Sequence, residues 1–479
     1  MSTPPGISPE EFRKHGHDVV DWIADYLANP ESWPVLPDVR PGDVSAGLAE
    51  SPPESGEAMR DILADFHRTI LPGTTHWNNP GFLAYFANTG TAEGVLGETL
   101  TAALNVNAML WKTGPAATEL EIRTLDWLRQ MIGLPDHFTG TITDTASSST
   151  LYALAAAREL FPELELRKKG LSGRKELPPL YFYASEEAHS SIDKAVMTLG
   201  FGLDNLRHIP TDADLAMDPA ALESAITADR KRGGIPIAVV GCIGTTSTTA
   251  VDPIARIADI CGREKIWLHV DAAYAGSAAI LPELRYIMNG CERADSFVVN
   301  PHKWLLTPMD CSALFTRRPD LLKRAFQHVA DYLIVSEPES VTNLMDYGVA
   351  LGRRFRALKL WFVIRSFGVE GLAGVIREHI RLAAELSRWV DESPGFERLA
   401  SARFSTVVFR HVRAGLSDSE LERRNQAIID RVNGTREIYI SHTRVRGVYA
   451  IRLAIGNLHT SEAHVRRAWE LIIEASKAA

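Results

Sequence analysis

Three stretches decide the architecture: IPIAVVGCIG (Ile235–Gly244), WLHVDAAYAG (Trp267–Gly276) and SFVVNPHKW (Ser296–Trp304). Each contains a short apolar run of strand length, bounded by small or turn-forming residues. Between the first two lies Pro253–Arg263, a helix-like segment. Strand, helix, strand repeated in this way gives a mainly parallel sheet wrapped by helices. Working outward, Gly140–Thr143 and Leu180–Tyr183 add strand candidates. Leu151–Leu160, Asp193–Gly200 and Pro219–Lys231 add helices, with strands at Ile237–Ile243, Trp267–Asp271 and Ser296–Val299. The expected class is α/β, with one large domain over residues 91–375.

The flanks differ. Ser8-Pro9-Glu10-Glu11 reads as an N-cap, a proline at the first helical position and a capping-box glutamate. Phe12, Gly16, Val19, Val20, Ile23, Tyr26 and Leu27 then fall on one helical stripe. A proline-rich link, Trp33 to Gly42, leads to a second helix from about Glu57 to Ile70. Two amphipathic helices joined by an extended link cannot bury both stripes alone. Residues 1–90 are therefore expected to pack on the rest of the chain or on a second subunit. Phe326–Tyr347 lacks clear period and reads as a mobile loop, followed by a helix over Arg354–Phe367. Residues 376–479 read as a smaller α/β domain. Its strands fall near Ser405–His411, Glu437–Ile440 and Tyr449–Ile455, and its last helix over His464–Ala475.

The chain has 479 residues, and 51 basic against 60 acidic residues leave a formal charge of −9. That balance speaks against nucleic acid as a partner. The four cysteines, Cys242, Cys261, Cys291 and Cys311, have no CxxC spacing, so neither a metal site nor a disulfide framework is expected. The start, MSTPPGISPE, lacks a basic segment followed by an apolar one. No apolar run approaches the roughly 20 residues of a membrane helix. The expectation is a cytoplasmic protein with no membrane partner.

The chemistry gathers at strand ends. The Trp267–Asp271 run finishes on a carboxylate, and Ser296–Val299 runs into Asn300-Pro301-His302-Lys303. Asp271 and Lys303 are separated by one crossover and one strand, so both can reach the same sheet edge. Leu180–Tyr183 leads towards His189, and Thr145-Ala146-Ser147-Ser148-Ser149-Thr150 precedes a helix. A hydroxyl-rich helix start favours an anion, but the run is neither GxGxxG nor GxxxxGK[ST]. Singly, each feature has a plainer reading: a cap, a solvated lysine, a surface histidine, a loop. Together they match the needs of pyridoxal phosphate. That cofactor requires a lysine amine for a Schiff base and a carboxylate facing its pyridine nitrogen. It also requires a phosphate cradle and a ring-stacking partner. Lys303, Asp271, the 145–150 turn with Asn300, and His189 would supply these in order.

Asn300-Pro301-His302-Lys303-Trp304 and His269-Val270-Asp271-Ala272-Ala273-Tyr274-Ala275-Gly276 strongly resemble the group II pyridoxal-phosphate amino-acid decarboxylases, and among them the aromatic-L-amino-acid decarboxylases. His76-Trp77, Phe82–Phe86, Pro115–Glu121 and Leu351–Arg356 extend the resemblance over nearly the whole chain. It implies fold type I, with a mainly parallel seven-stranded-type sheet and an N-terminal helical segment. It also implies a homodimer that exchanges its N-terminal helices and has its active site at the subunit interface. By the same resemblance Lys303 carries the cofactor, Asp271 binds the pyridine nitrogen and His189 stacks on the ring. Thr246 and Ala273 lie against the cofactor, and Thr145, Ala146, Ser147 and Asn300 hold its phosphate. His302 contacts the substrate or the cofactor. Tyr332 returns a proton to the substrate, aided by His189. The family usually has glycine where this chain has Asp144, and a carboxylate there must point away from a phosphate or cap the helix.

The implied reaction is decarboxylation of an aromatic L-amino acid to the amine. The alternative is oxidative conversion to an aldehyde on the same cofactor, as in related synthases with phenylalanine in place of Tyr332. Trp77, Tyr85 and Phe86 match aromatic pocket positions, although core packing is the rival reading for any aromatic. Asn107 and Met109 match positions contributed by the partner subunit. Gly352 stands where a serine in relatives goes with phenolic or histidine substrates, so glycine leaves room for a larger ring and points to tryptophan-like or broadly aromatic substrates. Arg452 matches a family arginine whose role the sequence leaves open.

Overall fold

The computed structural model describes residues 6–328 and 341–478. Its large sheet contains β1 (Thr139–Thr143), β2 (Leu180–Ser185), β3 (Leu206–Ile209), β4 (Ile235–Cys242), β5 (Trp267–Asp271), β6 (Ser296–Val299) and β7 (Ser312–Thr316). They run in the order β1-β7-β6-β5-β4-β2-β3. The pairs from β3 to β6 are parallel, whereas β7 runs antiparallel to both β6 and β1. β5 is buried along its length, as its apolar sequence demands of a strand covered on both faces. β3 and β7 escape the sequence reading. β3 carries Arg207 and His208 in four residues, and β7 is apolar only over Ala313–Phe315.

The register places the chemistry at one edge. Cys242 of β4 pairs with Asp271 of β5, which pairs with Val298 of β6. One residue beyond β6, Asn300 turns the chain into the single helical turn Pro301–Trp304, which carries His302 and Lys303.

A second, antiparallel sheet contains β8 (Phe396–Arg398), β9 (Thr406–His411), β10 (Ser441–Val445) and β11 (Val448–Ala454), in the order β10-β11-β9-β8. Glu437–Ile440 is not one of its strands. Tyr439 instead bridges to Phe82, accepting the Leu83 N–H at 2.8 Å and donating to the Gly81 carbonyl at 2.9 Å. Ile438 and Ile440 still bury themselves in the core beneath the second sheet, while Tyr439 packs against Val35, Phe82 and Ala84 on the other side. The expected Arg354–Phe367 helix spans Ala357–Glu392 and kinks at Gly368, whose φ of 63° suits glycine. Before the kink and just after it the helix packs on the large-sheet core. From Leu382 to Val390 it packs on the core of the second sheet.

The N-terminal helix, Pro9–Ala28, has the capping box at Ser8 and Glu11. None of its residues is buried, and Phe12 and Val20 are 69% and 56% exposed. The second helix runs Met59–Asp65 and continues as a wider π-helical turn over Phe66–Ile70. Of the Phe326–Tyr347 stretch, Leu344–Tyr347 forms a turn with Leu344, Met345 and Asp346 buried. Tyr332 lies outside the described residues. All four cysteines are free and buried. Among the described residues no helix is long and apolar enough to cross a membrane.

Candidate active site

A cavity of about 380 Å³ opens over the carboxyl ends of β4, β5 and β6. Thr145, Ala146, Ser147, His189 and Thr246 line it, together with Asp271, Ala273, Asn300, His302 and Lys303. The ten cofactor-contact positions expected from sequence thus share one space. Burial holds the Lys303 amine below the ordinary lysine range; Asp271 opposes that shift and Arg452 adds to it. Among the described residues Lys303 has no ion-pair partner, and its Nζ lies 5.2 Å from the centre of the Phe86 ring. Asp271 is equally free of a cationic partner. Its Oδ1 accepts the Ala273 N–H at 3.1 Å, which fixes the carboxylate at the strand end.

The anion cradle is the start of the helix Ala146–Ala157. Its N-cap, Thr145, makes no side-chain capping bond, so the first-turn N–H groups remain available. Asn300 lines the cavity beside it, and its side-chain NH2 is the group that could donate to an anion. Asp144 is directed elsewhere. Its carboxylate accepts the Thr145 N–H at 2.7 Å and lines a different cavity with Arg353, Arg354 and Arg356. The conflict between a carboxylate and a phosphate is thereby removed. An unpaired amine, an unpaired carboxylate and an uncapped helix start fit the aldehyde, the pyridinium and the phosphate of pyridoxal phosphate.

Two imidazoles face the cavity. His189 Nδ1 accepts the Ser191 N–H at 3.1 Å, and burial lowers its pKa. His302 Nδ1 accepts the Cys311 N–H at 2.9 Å, and burial with the neighbouring Lys303 pushes its pKa down to about 4.

The aromatic wall is a stack. Phe86 lies 3.9 Å from Tyr274 at 16°, and Tyr274 lies 4.6 Å from Trp304 at 11°. Trp77 and Tyr85 continue the wall, with the Tyr85 hydroxyl 3.1 Å from that of Tyr439. On the other face of Phe86 sits the Arg452 guanidinium, 4.6 Å from the ring centre. Arg452 reaches in from β11. Its Nε donates to the Thr246 carbonyl at 3.0 Å and its Nη1 to the Tyr85 carbonyl at 2.6 Å. Burial lowers its pKa to about 10, and Nη2 is buried without a partner. The second sheet thus helps to build the site.

Sequence reasoning missed Tyr274, Asn88, Cys242 and the rim residues Ser441, His442 and Thr443. Tyr274 was within reach, as the aromatic three residues after Asp271. The rim carried no signal, because it lies on β10, which was not expected to be a strand. Asn107, Met109 and Gly352 do not line this cavity. They form a group of their own. Asn107 Oδ1 accepts the Arg353 N–H at 2.9 Å, and a Cβ on Gly352 would lie 3.9 Å from Asn107.

Comparison with known proteins agrees with this geometry. Residues 41–412 match the pyridoxal-dependent decarboxylase conserved domain. A tryptophan decarboxylase of Camptotheca acuminata is 41% identical over 98% of this chain and 96% of its own length. A phenylacetaldehyde synthase of Arabidopsis thaliana is 40% identical, over 98% of this chain and 96% of its own. The crystal structure of Oryza sativa TDC with PLP and tryptamine superposes with a TM-score of 0.94 at 38% identity. That match covers 100% of this chain and 99% of the other.

Proposed function

The chain belongs to the pyridoxal-dependent decarboxylase family, and we propose that it converts an aromatic L-amino acid, tryptophan-like or broadly aromatic, to the amine and CO2. The observation that carries this reading is the unpaired Lys303 and Asp271 facing one cavity walled by Phe86 and Tyr274, with Trp304 stacked behind Tyr274. Pyridoxal phosphate, when bound, supplies an aldehyde for an amine and a ring that accepts the electron pair freed at Cα. Lys303 offers the amine, its proton affinity lowered by burial so that the neutral, nucleophilic form is accessible. Asp271 would offer its negative charge to the ring nitrogen and so favour that nitrogen's protonated form. The helix start at Ala146 and Asn300 would hold the phosphate, and Trp77, Tyr85 and Phe86 give the cavity an aromatic wall for a substrate ring.

The reading includes a homodimer. The N-terminal helix buries none of its residues, and Leu96, Leu100 and Leu104 leave one face of the helix Ala92–Leu104 exposed. Apolar helix faces left exposed in this way call for a partner. A second copy covers it, and brings Asn107, Met109 and Gly352 to the cavity of its partner. With only the Asn107 amide near a Cβ at position 352, that wall leaves space for a fused ring.

The test is a panel of L-amino acids with amine and CO2 both measured. Tryptophan and other aromatic substrates should release the two in equal amounts, with aliphatic and acidic substrates slower by at least about tenfold, as loss of ring burial implies. Turnover confined to acidic or aliphatic substrates would overturn the assignment.

Overall identity does not separate amine formation from aldehyde formation, because a decarboxylase and a synthase match equally well. Tyr332 favours the amine, as the family tyrosine that returns a proton to Cα. Tyr332→Phe removes only the hydroxyl, so binding and CO2 release should persist while protonation slows. Dissolved oxygen then competes. Each substrate consumes one O2 and one water, and yields aldehyde, ammonia and hydrogen peroxide beside CO2. The amine-to-aldehyde ratio under air should fall by about a hundredfold, within the range of a lost general acid. An unchanged amine yield without peroxide would assign the proton to another donor.

A further inference from the structure

We propose that Ser149 and Thr150 are positioning residues for the cofactor: they fasten the phosphate-cradle helix to the turn that carries Lys303 and to the strand that carries Asp271. The proposal rests on the reading of Lys303 and Asp271 given above and extends it to residues that line no part of the cavity. The hydroxyl-rich run 145–150 divides by side. Thr145, Ala146 and Ser147 line the cavity, whereas Ser149 and Thr150 are wholly buried against the large sheet. A buried hydroxyl must find its partners inside the protein, and the partners of these two lie on different strands.

Ser149 is the middle of a hydroxyl chain. Thr143, at the end of β1, donates to the Thr145 carbonyl at 3.1 Å, and its Oγ1 lies 2.7 Å from Ser149 Oγ. Ser149 Oγ lies 3.0 Å from Ser312 Oγ, at the start of β7. Each hydroxyl has one proton. With that of Thr143 committed to the carbonyl, Ser149 donates to Thr143 and Ser312 donates to Ser149. The Thr145 carbonyl also accepts the Ser149 N–H at 3.1 Å, so the chain closes on the N-cap of the cradle helix. Its other end adjoins Cys311, whose N–H donates to His302 Nδ1 at 2.9 Å and whose carbonyl accepts the His302 N–H at 3.3 Å. The cradle is thereby tied to the turn that carries Lys303.

Thr150 makes the second connection. Its Oγ1 lies 3.5 Å from His269 Nε2, and His269 Nδ1 lies 2.8 Å from Ser296 Oγ, which accepts the Trp267 indole N–H at 2.9 Å. His269 stands two residues before Asp271 on β5, and Ser296 opens β6. Burial pushes the His269 pKa down to about 4, so the ring is neutral and needs no counter-ion. A rigid ligand held at three points binds tightly only while those points keep their spacing. Ser149 sets the spacing from the cradle to the lysine turn, and Thr150 sets it from the cradle to the Asp271 strand.

The probes are pyridoxal phosphate, pyridoxal and inorganic phosphate. Their dissociation constants are measured on the full chain freed of cofactor, by absorbance titration for the two aldehydes and by competition for phosphate. The double variant Ser149→Ala/Thr150→Val removes both hydroxyls with little change in volume. Its affinity for pyridoxal phosphate should fall roughly ten- to hundredfold, the worth of a charge-assisted hydrogen bond lost to misalignment. Pyridoxal needs only the ring and aldehyde anchors and phosphate only the cradle, so both should stay within about threefold of the parent. Equal losses for pyridoxal phosphate and inorganic phosphate overturn the proposal, because the two residues would then shape the cradle itself. Equal losses for pyridoxal phosphate and pyridoxal, as a general loosening of the fold requires, overturn it too, as does a pyridoxal-phosphate constant within about threefold of the parent. Thr150→Ser keeps the hydroxyl and should bind pyridoxal phosphate within about threefold of the parent; binding as weak as that of Thr150→Val overturns the part given to the hydroxyl. Should the double variant fail to fold, Ser149→Ala and Thr150→Val are compared singly by the same three constants. Borohydride reduction of the parent separates the two readings. Cofactor fixed on a lysine other than Lys303 overturns the site and this proposal with it, whereas fixation on Lys303 with unchanged constants in the variants overturns the proposal alone.

Discussion

Lys303→Ala should abolish both decarboxylation and the borohydride-fixable attachment of pyridoxal phosphate. Lys303 is the only lysine lining the described cavity, so no second amine stands ready to replace it. Among the described residues its amine has no ion-pair partner, and burial lowers its proton affinity, which favours the unprotonated form that attacks an aldehyde. Removing such a nucleophile costs catalysis on the order of 10⁴-fold or more. The uncapped helix start at Ala146 and the Asp271 carboxylate remain, so the variant should still hold the cofactor without a covalent bond. Mass spectrometry after borohydride reduction measures the attachment, and CO2 release measures the chemistry. The fold should persist, because Trp304 keeps its stack on Tyr274 and its indole N–H bond to His379 at 3.0 Å. Turnover within tenfold of the parent in a folded Lys303→Ala enzyme would remove Lys303 from its role.

Much of this arrangement is legible in the sequence for a physical reason. β5 and β6 are central strands, so their residues are apolar on both faces and their ends are marked by the first polar residue, Asp271 or Asn300. The same pattern failed at β3 and β7, where polar residues shorten the apolar run to a length that a turn also explains. Glu437–Ile440 failed differently. Its alternation is that of a strand, but its partner is the Gly81–Leu83 segment, more than 350 residues away, which no local pattern announces. Arg452 is the sharper case within the site. Its environment is made from Tyr85, Phe86 and Thr246, so a buried arginine with no carboxylate looks, in sequence, like any basic residue on a strand. Asn107, Met109 and Gly352 lie together away from the cavity of their own chain, and the pocket role expected of them rests on the proposed second copy.

Asp271→Asn should retain the cofactor and lose most of the rate. Asparagine preserves the size of the side chain and an acceptor for the Ala273 N–H, which Asp271 Oδ1 receives at 3.1 Å, so the end of β5 should not move. What disappears is the negative charge proposed to face the pyridine nitrogen, and a neutral ring would accept the electron pair from Cα poorly. Removing one preorganised electrostatic partner of this kind costs about 10²–10³-fold in kcat. Nothing else lining the described cavity restores the charge. Asp271 is its only carboxylate, and His189, lowered in pKa by burial, is neutral. Cys242, registered directly beside Asp271, has its thiol pKa raised well above the usual range by burial, so it offers no thiolate. Single-turnover CO2 release at saturating tryptophan separates the chemical step from binding. A rate within about threefold of the parent, with cofactor bound and attached to Lys303, would mean that the ring nitrogen is not served by Asp271. A large fall in rate with cofactor content unchanged would locate the loss in charge alone, because the variant alters neither the volume nor the hydrogen bond at that position.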